Sequence, residues 1–113
     1  MNPKDLQDRT KKFALRIIKL TEHLEKHLIG KFIGRQIFRS GTSVAANYRA
    51  ACRAKSAKDF ISKLGIVIEE TDETTFWLEL LNESGLMNKT QISTLLTESN
   101  EITAIMVASR NSA

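Results

Sequence analysis

Apolar residues recur every three or four positions along most of the chain, which is the spacing of amphipathic α-helices. Asn2 is a good N-cap and Pro3 suits the first helical turn, so the first helix begins there. Its apolar stripe continues to Leu28, and Gly30 then stands where a left-handed C-terminal residue is expected. We therefore predict helix 1 over residues 3–28. The residues of the stripe are Leu6, Phe13, Ile17, Leu20, Leu24 and Leu28.

Three further helices are predicted from the same spacing and from their end signals. Helix 2 is predicted over residues 33–54. Ser56, with Asp59 three residues later, resembles a capping box and begins helix 3, which stops at Gly85 because glycine favours the left-handed cap. Thr90 is the predicted N-cap of the last helix, in which apolar residues again recur at three and four positions.

The connections between these helices are short, and no segment alternates with the period of two that a strand requires. Short connections favour antiparallel neighbours, so we expect an all-α, antiparallel up-down-up-down four-helix bundle. A chain of 113 residues suits one modest core, so we expect a single domain over residues 1–113. The sequence contains no run of about 18 apolar residues and no signal-peptide pattern, so we expect a cytoplasmic protein with no membrane span.

Helix 2 carries chemically different residues on different faces. At 100° per residue, four arginines fall within about 80° of one another and opposite the apolar face. A guanidinium group presents fixed donors that suit phosphate or carboxylate, so these arginines predict an anionic partner, either another helix or a nucleic acid. A polar strip lies between the two faces and needs hydrogen-bond partners if it is covered. The arginines are Arg35, Arg39, Arg49 and Arg53, and the strip is Gln36, Ser40, Ser43 and Asn47.

Small residues crowd the middle of the same helix. Gly41 costs roughly 1 kcal/mol relative to alanine in a helix interior, so another interaction must compensate for it. Gly41, Ala45 and Cys52 lie along one edge of the apolar face, which favours close approach of a second helix. That helix belongs either to the same bundle or to another subunit.

The formal charge of +4 conceals two halves of opposite sign. Residues 1–63 contain 15 Lys and Arg against 5 Asp and Glu, whereas residues 64–113 contain 2 against 8. The halves either neutralise each other, within the fold or across subunits, or the basic half faces a polyanion. With the arginines of helix 2, the candidate nucleic-acid-binding residues are Lys12, Arg16, Lys19, Arg35, Arg39, Arg49, Arg53, Lys55 and Lys58.

Two carboxylates of helix 3, Glu70 and Glu73, share a stripe with Ile66 and Trp77 beside the main core face. An arginine of helix 2 paired with either carboxylate would supply charge-assisted hydrogen bonds and fix the register of the two helices. We therefore expect an inter-helix polar network. Its expected members are Gln36, Ser43, Asn47, Glu70, Glu73 and Trp77.

The residues give weak support to catalysis. Di-metal bundles use a glutamate three residues before a histidine, and neither His23 nor His27 has one. Acid and base chemistry by Glu70 and Glu73 would require a cleft with substrate-shaping side chains, of which only Trp77 is at hand. Nucleophile motifs and phosphate-cradling glycine loops are absent from the sequence. We expect no enzymatic activity, no metal and no cofactor.

Helices 2 and 3 carry the motifs of a known family. The run from Arg39 through Ser40-Gly41-Thr42-Ser43-Val44-Ala45-Ala46-Asn47 to Arg49, followed by Glu70, Glu73-Thr74 and Trp77-Leu78, resembles the bacterial four-helix-bundle proteins first associated with intervening sequences in 23S rRNA genes. The resemblance implies a homo-oligomeric ring, a pentamer in related proteins, with no established enzymatic activity. It also implies relatives that act as basic accessory factors to reverse transcriptases in retroelements.

Our leading hypothesis is a non-enzymatic, homo-oligomeric bundle, pentameric by the resemblance, that binds the backbone of RNA or DNA. The alternative is a protein-interaction scaffold or accessory factor, for example to a reverse transcriptase, whose arginines are used in subunit contacts.

Overall fold

The computed structural model describes residues 1–113 as four α-helices without strands. The helices are α1 (Pro3–Leu24), α2 (Leu28–Ala51), α3 (Ala57–Ser84) and α4 (Lys89–Ser112). Each helix packs against the next along the chain, and α4 meets α1 along a much shorter seam, in a rod of 44 × 19 × 19 Å. The predicted four-helix bundle is confirmed. None of the four helices is long and apolar enough to cross a membrane.

Three of the predicted end signals are confirmed. The side chain of Asn2 accepts a hydrogen bond from the backbone N–H of Asp5 at 2.8 Å, which caps α1. Ser56 caps α3 in the same way by accepting from the N–H of Asp59 at 3.0 Å. Gly85 follows α3 with φ 74° and ψ 12°, a left-handed conformation that glycine adopts without steric cost.

The predicted junction of the first two helices, at residues 28–33, is wrong. α1 ends at Leu24, and His27 is extended and caps α2 because its Nδ1 accepts a hydrogen bond from the N–H of Gly30 at 3.1 Å. Gly30 is therefore helical and not left-handed. A Cβ atom there would lie 3.2 Å from Leu24 Cδ2, so this glycine provides space for α1. Leu28, assigned to the apolar stripe of helix 1, is 84% exposed.

Two other predicted boundaries shift by a few residues. α2 ends at Ala51 and not at residue 54, because the N–H groups of Arg53 and Ala54 bond three residues back and tighten the chain into a turn. α4 begins before Thr90, since Asn88 is its N-cap and accepts from the N–H of Thr90 at 2.9 Å. Asparagine ranks above threonine as a cap, which explains the difference.

The core is formed by one apolar stripe from each helix, as the three-and-four spacing predicts. Five buried serine and threonine residues interrupt these stripes, and most of their hydroxyl groups donate to a carbonyl of the preceding turn, which satisfies them without a second helix. The largest fully buried side chains include Phe13, Ile17, Ile37, Leu64, Leu78, Leu81, Ile92, Ile102 and Met106.

Gly41 is buried at the closest approach of α2 to α1. A Cβ atom on Gly41 would lie 2.8 Å from Cγ1 of Ile17, which is closer than carbon atoms approach in folded proteins. Gly41 therefore accommodates a helix of the same chain, and this packing compensates for the low helix propensity of glycine, whereas Ala45 stays partly exposed.

Candidate nucleic-acid interface

α2 is one continuous helix through Gly41, and its arginines lie on the side away from the core. Ile37 and Val44 on the opposite side are fully buried. No acidic residue occurs between Glu25 and Asp59, so the whole of α2 is free of carboxylates. The charged side chains of this helix are therefore all positive.

Three of the four arginines, Arg35 and Arg49 of α2 and Arg53 in the turn after it, are exposed and make no ion pair or side-chain hydrogen bond in the structure. Without a carboxylate partner, a guanidinium group retains its donors for an external anion. We refer to these three residues as the free arginines.

Arg39, the fourth arginine, faces α3. Its Nη1 donates to Oε2 of Glu70 at 3.2 Å, and its Nη2 donates to Glu73. Trp77 Nε1 also donates to Glu73, at 3.1 Å. The hydrogen bond from Arg39 lowers the pKa of Glu73, and the same bond raises the pKa of Arg39. This is the pair between helices 2 and 3 that the sequence suggests, and it leaves Arg39 52% exposed.

The rest of the polar strip of α2 does not join this pair. Asn47 Nδ2 donates to the carbonyl oxygen of Ser43 at 2.9 Å and to its Oγ at 2.7 Å, so these two residues bond within α2. The side chain of Gln36 makes no hydrogen bond in the structure. The buried link to α3 is made by Thr74, whose hydroxyl donates to Ser40 Oγ at 2.8 Å.

Two pockets lie on the outer side of the seam between α1 and α2, and we refer to the pair as the α1/α2 groove. Its larger part, of about 500 Å³, has a floor of small α2 side chains between Lys11 of α1 and the free arginines Arg49 and Arg53. Its smaller part, of about 310 Å³, lies near the start of α2 and contains Arg35 and Phe38. The floor and remaining walls comprise Gln7, Asp8, Thr21, Glu25, Lys31, Gly34, Thr42, Ala45 and Ala46.

A second basic groove, of about 210 Å³, lies between α1 and α4. Arg16, Lys19 and His23 line it from α1, and Arg16 Nη2 donates to Thr94 Oγ1 of α4 at 3.1 Å. It opens on a different seam from the α1/α2 groove. The predicted basic residues of α1 and α2 are therefore not gathered in one patch.

The remaining predicted cations lie apart from both grooves. Lys12 is exposed on α1, and Lys55 and Lys58 are exposed where α2 turns into α3. The backbone N–H of Lys55 donates to Asp59 Oδ2 at 3.1 Å, which fixes this turn. These lysines extend the positive surface without lining either groove.

Sequence reasoning missed two cations that the fold uses. Lys11 stands opposite Arg49 and Arg53, and nothing in the helical period says which flank of α1 meets α2. Arg9 holds α1 to α4, since its Nε and Nη2 donate to the two oxygens of Glu98 at 2.8 and 2.7 Å, and Nη2 also reaches Glu101 at 2.9 Å. Hydrogen bonding to Glu98 raises the pKa of Arg9. The only signal in the sequence is the spacing of Glu98 and Glu101 on one face of α4.

An exposed apolar surface, which sequence reasoning also missed, lies across α2 and α3. The ring of Trp77 packs edge-to-face with Phe32 at 6.3 Å between centroids and with Phe76 at 5.2 Å. Leu28, Ile29 and Leu80 are exposed one turn away on the same two helices. We call this surface the aromatic patch. It consists of Leu28, Ile29, Phe32, Phe76, Trp77 and Leu80.

The arrangement can bind anions, and it contains no cluster of three or more His, Cys, Asp and Glu side chains that could hold a metal ion. Cys52 is unpaired and packs against the core.

Comparison with known proteins covers the whole bundle. The family model of the 23S rRNA-intervening sequence protein matches residues 4–108. A crystal structure of a protein with unknown function from the S23 ribosomal protein family, from Bacteroides thetaiotaomicron VPI-5482, is 35% identical and superposes with a TM-score of 0.90. The alignment covers 98% of this chain and 99% of that chain. A comparison with curated proteins found no match.

Proposed function

Because this chain belongs to the 23S rRNA-intervening sequence protein family, we propose that it is a non-enzymatic, homo-oligomeric bundle that binds the phosphate backbone of RNA or DNA. The observation that carries the proposal is the set of free arginines, Arg35, Arg49 and Arg53, which line the two parts of the α1/α2 groove along a helix without carboxylates. Neither the family nor the structural relative is described as an enzyme.

The chemistry of the groove suits phosphate better than carboxylate or base edges. Guanidinium groups bind phosphate oxygens through paired N–H donors, and contacts of this kind position a nucleic acid without reading its sequence. Each phosphate that is neutralised releases bound salt ions, so binding weakens steeply as salt is added. We therefore propose binding that tolerates many sequences and depends strongly on ionic strength.

Self-assembly is the second part of the proposal, and the aromatic patch supports it. A contiguous exposed apolar surface on a small protein marks an interaction site, and burying it is favourable by roughly 25 cal/mol for each Å². A second copy of the chain is the occupant that the homo-oligomeric ring of the resemblance implies, with five subunits in related proteins. A ring would repeat the free arginines once in each subunit and strengthen binding to a long polyanion.

The test is a fluorescence anisotropy titration of a labelled RNA at about 50 and about 200 mM salt. The wild-type protein is expected to bind at low salt and to lose most of its affinity at the higher salt. Changing the free arginines together to glutamine is expected to reduce affinity at low salt at least tenfold and to reduce the salt dependence. The matched control removes three cations outside both grooves, through Lys4→Gln, Lys89→Gln and Arg110→Gln, and should retain most of the affinity.

Absence of binding at low salt, or binding without salt dependence, would contradict nucleic-acid binding. Light scattering tests assembly separately. A monomer mass at micromolar concentration, unchanged in the Trp77→Ala variant, would contradict a homo-oligomer built on the aromatic patch.

A second candidate function is a protein-interaction scaffold, for example an accessory factor to a reverse transcriptase. The aromatic patch favours it, because this surface offers apolar area and not charge, and because Arg39 beside it is already paired with Glu70 and Glu73. The two candidates are separated by the same titration, since a scaffold that assembles but leaves RNA unbound at low salt would support this second function.

A further inference from the structure

We propose that the α1/α2 groove holds a single strand of nucleic acid, with its phosphates against the free arginines and one base stacked on Phe38. This inference rests on the proposed function. It adds that the nucleic acid is single-stranded and that Phe38 distinguishes a single strand from a duplex.

The dimensions of the groove suit a short stretch of strand. From Arg35 to Ala51, the last residue of α2, the rise along the helix is about 24 Å, and Arg53 follows in the turn. A strand of a few nucleotides spans a similar length, and single-strand sites hold roughly 4–16 nucleotides. Thr42, Ala45 and Ala46 form the floor of the larger part, so the path between its cationic walls is not filled by long side chains.

Positively charged side chains line both parts of the α1/α2 groove. Lys11, Arg49 and Arg53 surround the larger part, and Lys31 and Arg35 line the smaller one. α1 adds one acid to each part, Asp8 to the larger and Glu25 to the smaller. Oε1 of Glu25 lies 3.5 Å from Nζ of Lys31, so this acid offsets a lysine and leaves Arg35 free. The cations therefore outnumber the acids in each part.

Phe38 is the observation that favours a single strand. Its side chain is 47% exposed, lies in the groove beside Arg35, and takes no part in the ring contacts of the aromatic patch. It stands one helical turn before Thr42, which lines the larger part of the groove. Proteins that hold single strands combine a cationic groove with an aromatic side chain on which a base stacks. The bases of a duplex are paired and stacked on one another, so only a single strand can use this ring.

The test compares single-stranded RNA and DNA of about 12 nucleotides with a duplex that carries the same number of phosphates, by anisotropy at low salt. Phe38→Leu keeps an apolar side chain and removes the ring. It is expected to weaken single-strand binding about tenfold and to leave duplex binding unchanged. The loss is expected for RNA and DNA alike, because stacking does not involve the 2′-hydroxyl group. The control Phe60→Leu makes the same change in a half-buried ring of α3 that lies outside both the α1/α2 groove and the aromatic patch, and it should leave both affinities unchanged.

A second measurement changes the nucleic acid instead of the protein, by using a strand that has no bases. A strand in which every position is abasic is expected to bind wild-type protein about as weakly as an ordinary strand binds the Phe38→Leu variant. Equal affinity for single strand and duplex, or an ordinary strand that binds both proteins equally, would overturn this inference and leave the proposed function standing. Absence of binding by every probe at low salt would overturn both.

Discussion

The two flanks of α2 both carry arginines, but only the arginine on the α3 side is paired with carboxylates. On the α1 side, Arg49 and Arg53 face Lys11 across a groove and stay unpaired, whereas on the α3 side Arg39 bonds to Glu70 and Glu73. Arg39 and Arg49 lie about 80° apart on α2, so Arg39 leans towards α3 and Arg49 towards α1. Two carboxylates of α3 bond to Arg39, whereas Asp8 of α1 lines the groove without bonding to Arg49 or Arg53. Whether a guanidinium group is structural or available for binding is therefore a property of the pair of helices.

The largest expected change in stability comes from disturbing the close packing of α2 against α1. Gly41→Ala places a Cβ atom 2.8 Å from Ile17 Cγ1 and is expected to lower the free energy of unfolding by about 1–3 kcal/mol, because the buried Ile17 cannot withdraw. Gly65→Ala is the matched control, since no atom lies within 4 Å of its Cβ position. Urea unfolding should find Gly65→Ala more stable than wild type by about 0.5–1 kcal/mol. Equal stability changes for the two variants would contradict the packing described for α1 and α2.

The second largest expected change in stability comes from removing the buried hydrogen bond between Thr74 and Ser40 on the α3 side. Thr74→Val keeps the shape of the side chain and removes the hydroxyl that donates to Ser40, so we expect a loss of about 1 kcal/mol in the free energy of unfolding. Thr97→Val removes an exposed hydroxyl that bonds only within α4, and its effect should stay within about 0.5 kcal/mol. A larger loss for Thr97→Val than for Thr74→Val in urea unfolding would count against a role for this bond.

Removing the acids of α3 should make its flank behave like the α1 flank. The double variant Glu70→Gln and Glu73→Gln frees Arg39 and removes two negative charges, so RNA affinity at low salt is expected to rise severalfold. Glu79→Gln with Glu83→Gln removes the same charge from α3 without releasing an arginine and serves as the control. An equal rise in both variants, measured by anisotropy, would assign the effect to net charge and not to Arg39.

The smallest expected effect is on the pH dependence of stability. The pKa of Glu73 is lowered from its ordinary value of 4.5 by Arg39. A lowered folded-state pKa means that this contribution is complete above pH 4.5 and is lost as the pH falls through the folded-state value. Because the pair is half exposed, the loss should be at most about 1 kcal/mol. Urea unfolding at neutral pH and near pH 3 should show that Glu73→Gln loses less free energy of unfolding at acid pH than the wild type does. An equal loss in the two proteins would exclude this pair as its source.

The sequence predicted the features that depend on neighbouring residues. The caps at Asn2 and Ser56 and the left-handed Gly85 are local signals, and the core stripes follow from the helical period. The turn after α1 was missed because its cap is the imidazole of His27, and because apolar residues continue past Leu24. Histidine is not among the usual cap residues, so the periodic stripe outweighed it.

The candidate site was less predictable because it depends on how the helices meet. The helical period places Arg39 and Arg49 on one face and says nothing about which neighbour carries the carboxylates. Lys11 and Arg9 were missed for the same reason, since their partners are far away in the chain. The exposed ring of Phe38 was equally invisible, because its exposure is set by the angle between α1 and α2.

The order of charges along the chain has a consequence for its synthesis. The N-terminal half, with 15 basic residues against 5 acidic ones, emerges from the ribosome before Glu70 and Glu73 do. During that interval Arg39 has no carboxylate within reach, and the nascent hairpin of α1 and α2 is a polycation. The second half then arrives as a tethered counterion, whose carboxylates pair with Arg39 and Arg9 and leave the three free arginines unpaired.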